Sequence, residues 1–225
     1  MVKVGLVLSG CGYLDGAEIQ EAVLCALYLE QEGADVIWTA PDVAQAEVVD
    51  HLTGTVVLGA PRNVLHESAR IARGDIVASD KLHARDLDAL VLPGGYGAAK
   101  NLCDFAVRGA QCAVHPAVES LVRELHAAGK PIGAICIAPA LIARVLGSKN
   151  PSLTIGDDAT TARALETCGA KHETRDVSEV TVDRKQRIVS TPAYMLGPRI
   201  SDVAKGIAKA CKEVVGLARQ PAGVT

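Results

Sequence analysis

Apolar residues along this chain fall into short dense runs separated by stretches with a three-to-four-residue apolar rhythm. Val4–Leu8, Val36–Thr39, Leu87–Leu92 and Ile132–Ile135 are dominated by aliphatic residues, the pattern of strands covered on both faces. Val56–Leu58 reads as a further short strand, and Val64–Ala72, ended by Gly74, as a helical stretch. Pro116–Ala128 is strongly amphipathic and Ile200–Leu217 reads as a closing helix. Val180–Val182 and Ile188–Ser190 flank Asp-Arg-Lys-Gln-Arg, which predicts a hairpin. After the first strand Ser9–Gly16 (SGCGYLDG) breaks the pattern with three glycines, and Asp15 suits an N-cap with Glu18 closing a capping box. Ile19, Ala22, Val23, Ala26 and Leu27 form the apolar stripe of the helix that follows, and Ala218–Thr225 reads as a frayed tail. Strands alternating with helices predict a three-layer α/β/α sandwich with a mostly parallel sheet.

No linker-like segment divides the 225 residues, so residues 1–225 are expected to form a single domain. Aromatic residues make up only 3% of the chain, leaving a core of Val, Ala, Leu and Ile. A formal net charge of −3 supplies no electrostatic footprint for nucleic acid or an anionic membrane, and no apolar run is long enough to span a bilayer. A small-molecule partner is the expectation. Seven cysteines without a Cys-x-x-Cys pair or zinc spacing fit free thiols in a reducing compartment. With no signal-peptide pattern at the start, the chain reads as cytoplasmic.

The candidate chemistry centres on Lys-Pro-Ile-Gly-Ala-Ile-Cys-Ile-Ala-Pro at Lys130–Pro139, which delivers Cys136 to a sharp strand-to-helix break. Pro139 is tolerated only near the start of the helix over Ala138–Leu146. Unpaired N–H groups and the positive end of that helix dipole favour a thiolate, the nucleophilic form. The alternative is that Cys136 is a small buried hydrophobe, the reading adopted for the other six cysteines; Cys11 is read as structural although its loop faces the same region.

Glu21 sits on the wheel among Leu24, Cys25 and Tyr28, which predicts a partly buried, protonated carboxyl able to donate to the sulfur. Leu92-Pro93-Gly94-Gly95 ends a strand with residues that let bare backbone approach a ligand. The N–H groups of Gly95 and Ile137 are candidate oxyanion donors. In open α/β sheets sites lie beyond the carboxyl ends of the strands, where Gly10–Gly16, Pro93–Gly97 and Cys136–Ile137 are expected to converge. No histidine follows Cys136, and His115 and His126 are read as solvent-exposed, so a hydrolytic triad is not expected.

Gly16–Ala22 (GAEIQEA), Val91–Leu102 (VLPGGYGAAKNL) and Ala134–Pro139 (AICIAP) resemble the PfpI-protease and deglycase branch of the class I glutamine amidotransferase-like superfamily. Within it, Ser9–Gly16 (SGCGYLDG) and Thr191–Leu196 (TPAYML) resemble the ElbB-type glyoxalases, also called enhancing-lycopene-biosynthesis proteins, a name that associates them with isoprenoid production. The resemblance implies a flavodoxin-like sandwich, a homodimer, and glutathione-independent conversion of glyoxal, or methylglyoxal, to a hydroxyacid such as glycolate, without metal or organic cofactor. It also implies Cys136 as nucleophile, Glu21 as its carboxyl partner, and Gly95 and Ile137 as oxyanion donors. The sequence departs from the branch at the triad histidine: Ile137 stands where the proteases carry one, and Leu153–Asp157 (LTIGD) lacks the one found in deglycases. Protease and amidotransferase activities are therefore not expected. The competing reading is a non-catalytic oxidative-stress or metabolite sensor with an oxidisable Cys136.

Overall fold

Seven strands form one sheet in the computed structural model, which describes residues 1–197 and 199–220. They are β1 (Val2–Val7), β2 (Ala34–Ala40), β3 (Val77–Ala78), β4 (Ala89–Leu92), β5 (Ile132–Ile135), β6 (Thr181–Asp183) and β7 (Ile188–Thr191). Their order is β6-β7-β5-β4-β1-β2-β3, and every pairing is parallel except that of β6 with β7. That exception is the expected hairpin. β4 and β5 are buried at every position, as their unbroken aliphatic runs require.

The connecting helices of five residues or more are α1 (Ile19–Gln31), α2 (Val64–Ile71), α3 (Tyr96–Lys100), α4 (Pro116–Ala127), α5 (Ala138–Leu146), α6 (Ala159–Thr167) and α7 (Ile200–Ala218). One core layer joins Ala22, Cys25 and Leu29 of α1 to Ile207, Cys211 and Val214 of α7 over the sheet. The other joins Val118, Leu121, Val122 and Leu125 of α4 to Leu141 and Ile142 of α5. This is the three-layer sandwich of the flavodoxin-like class. The strand order reverses beside β1: the chain moves outward through β2 and β3, then returns to lay β4 on the other side of β1. Loops leaving the carboxyl ends of β1 and β4 therefore part around a crevice, the usual ligand position in such sheets.

Several local expectations are corrected. Glu18, not Asp15, is the N-cap of α1, accepting from Glu21 N–H at 2.6 Å. Asp15 is buried and accepts instead from Val49 N–H at 2.8 Å, because the glycine loop continues through Gly16 before the helix begins. The stripe of α1 is rotated. Ala22 and Ala26 are buried with Glu21, Cys25 and Leu29, whereas Ile19, Val23 and Leu27 are 43%, 50% and 43% exposed. α7 packs on the first face, and helical periodicity alone does not say which of two apolar stripes finds a neighbour.

The strand expected at Val56–Leu58 is only Thr55–Val56, paired with Val49–Asp50 in a two-stranded ribbon outside the sheet. The edge strand β3 and helices α3 and α6 were not anticipated. β3 is two residues long and α3 five, too short to show a period, while α6 buries only Leu165. Of the expected tail, α7 continues through Ala218, and residues 221–225 lie outside the described residues.

Candidate active site

Two glycine-rich segments meet backbone to backbone at the crevice. Tyr96 N–H donates to the Tyr13 carbonyl at 2.7 Å, Gly97 N–H to that of Gly16 at 2.8 Å, and Glu18 N–H to that of Gly94 at 3.0 Å. The contact leaves no room for side chains. Gly95 has φ +90°, and a Cβ there would lie 2.4 Å from Glu18 N and 2.5 Å from the Gly16 carbonyl oxygen. The expected convergence of Gly10–Gly16, Pro93–Gly97 and Cys136–Ile137 is thus what the fold contains.

Cys136 follows β5 directly and has φ +61°, an unfavourable conformation for a residue with a Cβ. Its N–H is held by the Thr191 carbonyl at 2.9 Å, so pairing with β7 fixes the strained turn. A nucleophile on such a strand-to-helix elbow is pushed out of the sheet toward the crevice. Cys136 is 7% exposed, and its open side faces a cavity of about 480 Å³.

Glu21 is fully buried beneath the same turn. Its Oε2 accepts from Gly94 N–H at 2.9 Å and its Oε1 from Tyr194 N–H at 3.1 Å, and the carboxyl is hydrogen-bonded to the Cys136 thiol. Burial pushes the carboxyl up to about 7, with the nearby Glu18 charge adding to it, while the two backbone donors act the other way. The expectation of an intrinsically acidic thiol is corrected. Burial and, next, the Glu21 charge push the Cys136 thiol up, against hydrogen bonds from Gly95 and Ile137 N–H that lower it. With Glu21 ionised the thiol keeps its proton. A thiolate forms only if that proton passes to Glu21, whose O–H would then face the sulfur beside the two N–H groups.

Gly95 and Ile137 thus point their donors at the sulfur, within reach of any oxyanion formed on an atom bonded to it. Gly94, grouped with them from the sequence, instead gives its N–H to Glu21. A Cβ on Gly94 would lie 2.4 Å from Cys136 Cβ, 2.8 Å from Glu21 Oε2 and 2.9 Å from Cys136 Sγ. Gly94→Ala is therefore expected to separate the pair. Overpacking should also destabilise the fold by about 1–3 kcal/mol, read from the shift of the urea unfolding midpoint.

The cavity walls are Tyr13, Glu18, Tyr96, Phe105, Tyr194 and Met195, with Ala99, Ala106, Ile137 and Thr161 between them. Sequence reasoning missed the aromatics and the N–H of Tyr194. Their signal was scarcity: of four tyrosines and one phenylalanine in the chain, three tyrosines and the phenylalanine line this one cavity. Tyr194 arrives through Thr191-Pro192-Ala193, where Ala193 is buried at φ +44°, a second strained residue at the site. None of the six histidines lines the cavity. His115 and His126 are half-buried rather than exposed, and burial pushes His115 down. Cys11 is half-buried outside the cavity, with its thiol raised by burial and by Glu67.

The model of the DJ-1/PfpI family matches residues 13–191, from the first glycine loop to the end of β7. The chain belongs to the DJ-1/PfpI family. This DJ-1/PfpI chain is 46% identical over 224 residues to the Homo sapiens protein named glutamine amidotransferase-like class 1 domain-containing protein 3, mitochondrial, covering 96% of this chain and 83% of that one. It is 34% identical over 207 residues to the ES1 protein, mitochondrial, of Danio rerio, covering 86% and 77%. Its fold superposes with a TM-score of 0.91 on the crystal structure of an isoprenoid biosynthesis protein with an amidotransferase-like domain from Ehrlichia chaffeensis, at 35% identity and covering 97% and 100% of the two chains. The cytoplasmic expectation is overturned by the relatives, since those from Homo sapiens, Rattus norvegicus and Danio rerio are all named mitochondrial. Free thiols exclude only an oxidising compartment and do not discriminate among reducing ones.

Proposed function

We propose that this protein is a cofactor-independent glyoxalase that converts glyoxal, or methylglyoxal, to the corresponding hydroxyacid. The observation that carries the reading is a strained cysteine on the cavity wall hydrogen-bonded to a fully buried carboxyl, which burial pushes up to about 7. Cys136 sulfur bonds to one aldehyde carbon of glyoxal, and the resulting oxyanion takes up a proton to give a hemithioacetal. Glu21 removes the C–H proton of that carbon and returns it to the neighbouring carbon, leaving a thioester of glycolate. Water cleaves the thioester, releasing glycolate and the thiol. One carbon is oxidised and the other reduced, so only water is consumed and no external oxidant enters.

Among the described residues no cationic side chain lines the cavity to pair with a glutamine carboxylate, which supports a non-amidotransferase role. The exposed Ile19, Val23 and Leu27 stripe supports self-association as a homodimer. The relatives' names favour a mitochondrial setting. The sensor reading draws on the same N–H donors, which would suit a Cys136 sulfinate; the large open cavity favours a substrate. Proton NMR of the purified protein with glyoxal is expected to show stoichiometric glycolate. Glyoxal left unconsumed, beside a Cys136 that peroxide converts quantitatively to the sulfinate by intact mass, would reverse the choice.

A further inference from the structure

We infer that the cavity selects, on the carbonyl compound attacked by Cys136, an uncharged apolar substituent of about the size of an aromatic ring. This rests on the glyoxalase reading and adds what occupies the space around the reacting carbons. The cavity of about 480 Å³ lies within the range of roughly 300–1,000 Å³ that accommodates drug-sized ligands. Glyoxal, with two carbons and two oxygens, leaves most of it empty.

The wall is also the wrong chemistry for a small polar molecule. A chain that builds its core almost without aromatics places Tyr13, Tyr96, Tyr194 and Phe105 here, with Tyr13 and Tyr96 about half exposed at 49% and 52%. Exposed rings around a concave surface offer flat faces and edges to a flat apolar group, and Met195 beside them adapts to its outline. Among the described residues no Lys, Arg or His lines the cavity. The Lys100 ammonium lies 5.0 Å from the Tyr96 ring centre but is bound to Glu47. Glu18, the charged residue on the wall, has its carboxyl raised by burial and repels an anion once ionised. A carboxylate or phosphate on the substrate would enter without a partner.

Phenylglyoxal has the required form. Cys136 sulfur bonds to its aldehyde carbon, the hemithioacetal C–H proton passes by way of Glu21 to the ketone carbon, and water releases mandelate from the thioester. The aldehyde carbon is oxidised and the ketone carbon reduced, with water the only co-reactant.

The experiment compares kcat/KM for glyoxal, phenylglyoxal and 4-carboxyphenylglyoxal. Phenylglyoxal is expected to exceed glyoxal at least tenfold, and its carboxylated analogue to fall at least tenfold below it. Tyr96→Ala and Phe105→Ala, each verified as folded by circular dichroism, should lower the phenylglyoxal-to-glyoxal ratio at least fivefold. A ratio of one or less in the native protein, or a ratio unmoved by both variants, overturns the inference. Binding is read separately by the rate at which iodoacetamide alkylates Cys136. Acetophenone, which lacks the aldehyde, should slow alkylation at least threefold while acetone at equal concentration does not; equal effects overturn the inference. If no oxoaldehyde is consumed, the glyoxalase reading falls on its own, and the acetophenone result still decides the selectivity of the cavity.

Discussion

Replacing Cys136 by alanine is expected to remove glyoxal turnover by about 10³-fold or more while leaving the protein folded, since deletion of a covalent nucleophile removes the route rather than slowing it. The sulfur adds little to the core. It faces a cavity, and loss of its small apolar contact costs about 1 kcal/mol. The backbone supplies a second readout. At φ +61° alanine keeps the strain of the native turn, whereas Cys136→Gly relieves it and should be more stable than Cys136→Ala by about 1 kcal/mol in urea unfolding. A Cys136→Ala protein with full turnover would sink the covalent mechanism. A glycine variant no more stable than the alanine one would show that the elbow carries no strain.

Glu21→Gln is expected to lower kcat by about 10²–10⁴-fold, the range for loss of a positioned general acid–base. It should also change how stability depends on pH. Burial raises the Glu21 carboxyl from its ordinary 4.5 to about 7, so between those values the folded protein binds a proton that the unfolded chain has released. Stability contributed by this group is therefore fully present below pH 4.5 and declines as pH rises through 7. A shift of that size corresponds to about 3 kcal/mol. The glutamine variant lacks this decline, so the difference in urea midpoint between the two proteins should drift in favour of the variant from pH 4.5 to 7.5. At low pH the variant should be the less stable, by about 1–3 kcal/mol, because the amide nitrogen cannot accept from Gly94 or Tyr194 N–H and leaves one of them unpaired. Parallel pH profiles for the two proteins would mean that Glu21 does not titrate where its burial places it.

The legible part of the fold was the part that one strand or one turn determines alone. Ile132–Ile135 followed by Cys136 and a proline-started helix could be read from adjacent residues, and so could the glycine breaks after β1 and β4. Glu21 was readable because a carboxylate among Leu24, Cys25 and Tyr28 is a poor surface residue. What stayed hidden depends on partners remote in the chain. The stripe of α1 that is buried is chosen by α7, and the N–H that holds Glu21 Oε1 comes from Tyr194. The direction of the thiol shift is hidden for a related reason: the helix dipole is local and visible in sequence, while the depth of burial is a property of the assembled sheet.

The hydrogen bond between Tyr194 and Glu21 joins groups 173 residues apart and carries one further meaning, for biosynthesis. A nascent polypeptide that has left the ribosome as far as β5 already holds its sulfur but not β7, the clamp on its elbow, nor the second anchor of its acid. An unfinished chain therefore lacks the assembled Cys136–Glu21 pair, which is completed only when the last strand docks through long-range contacts.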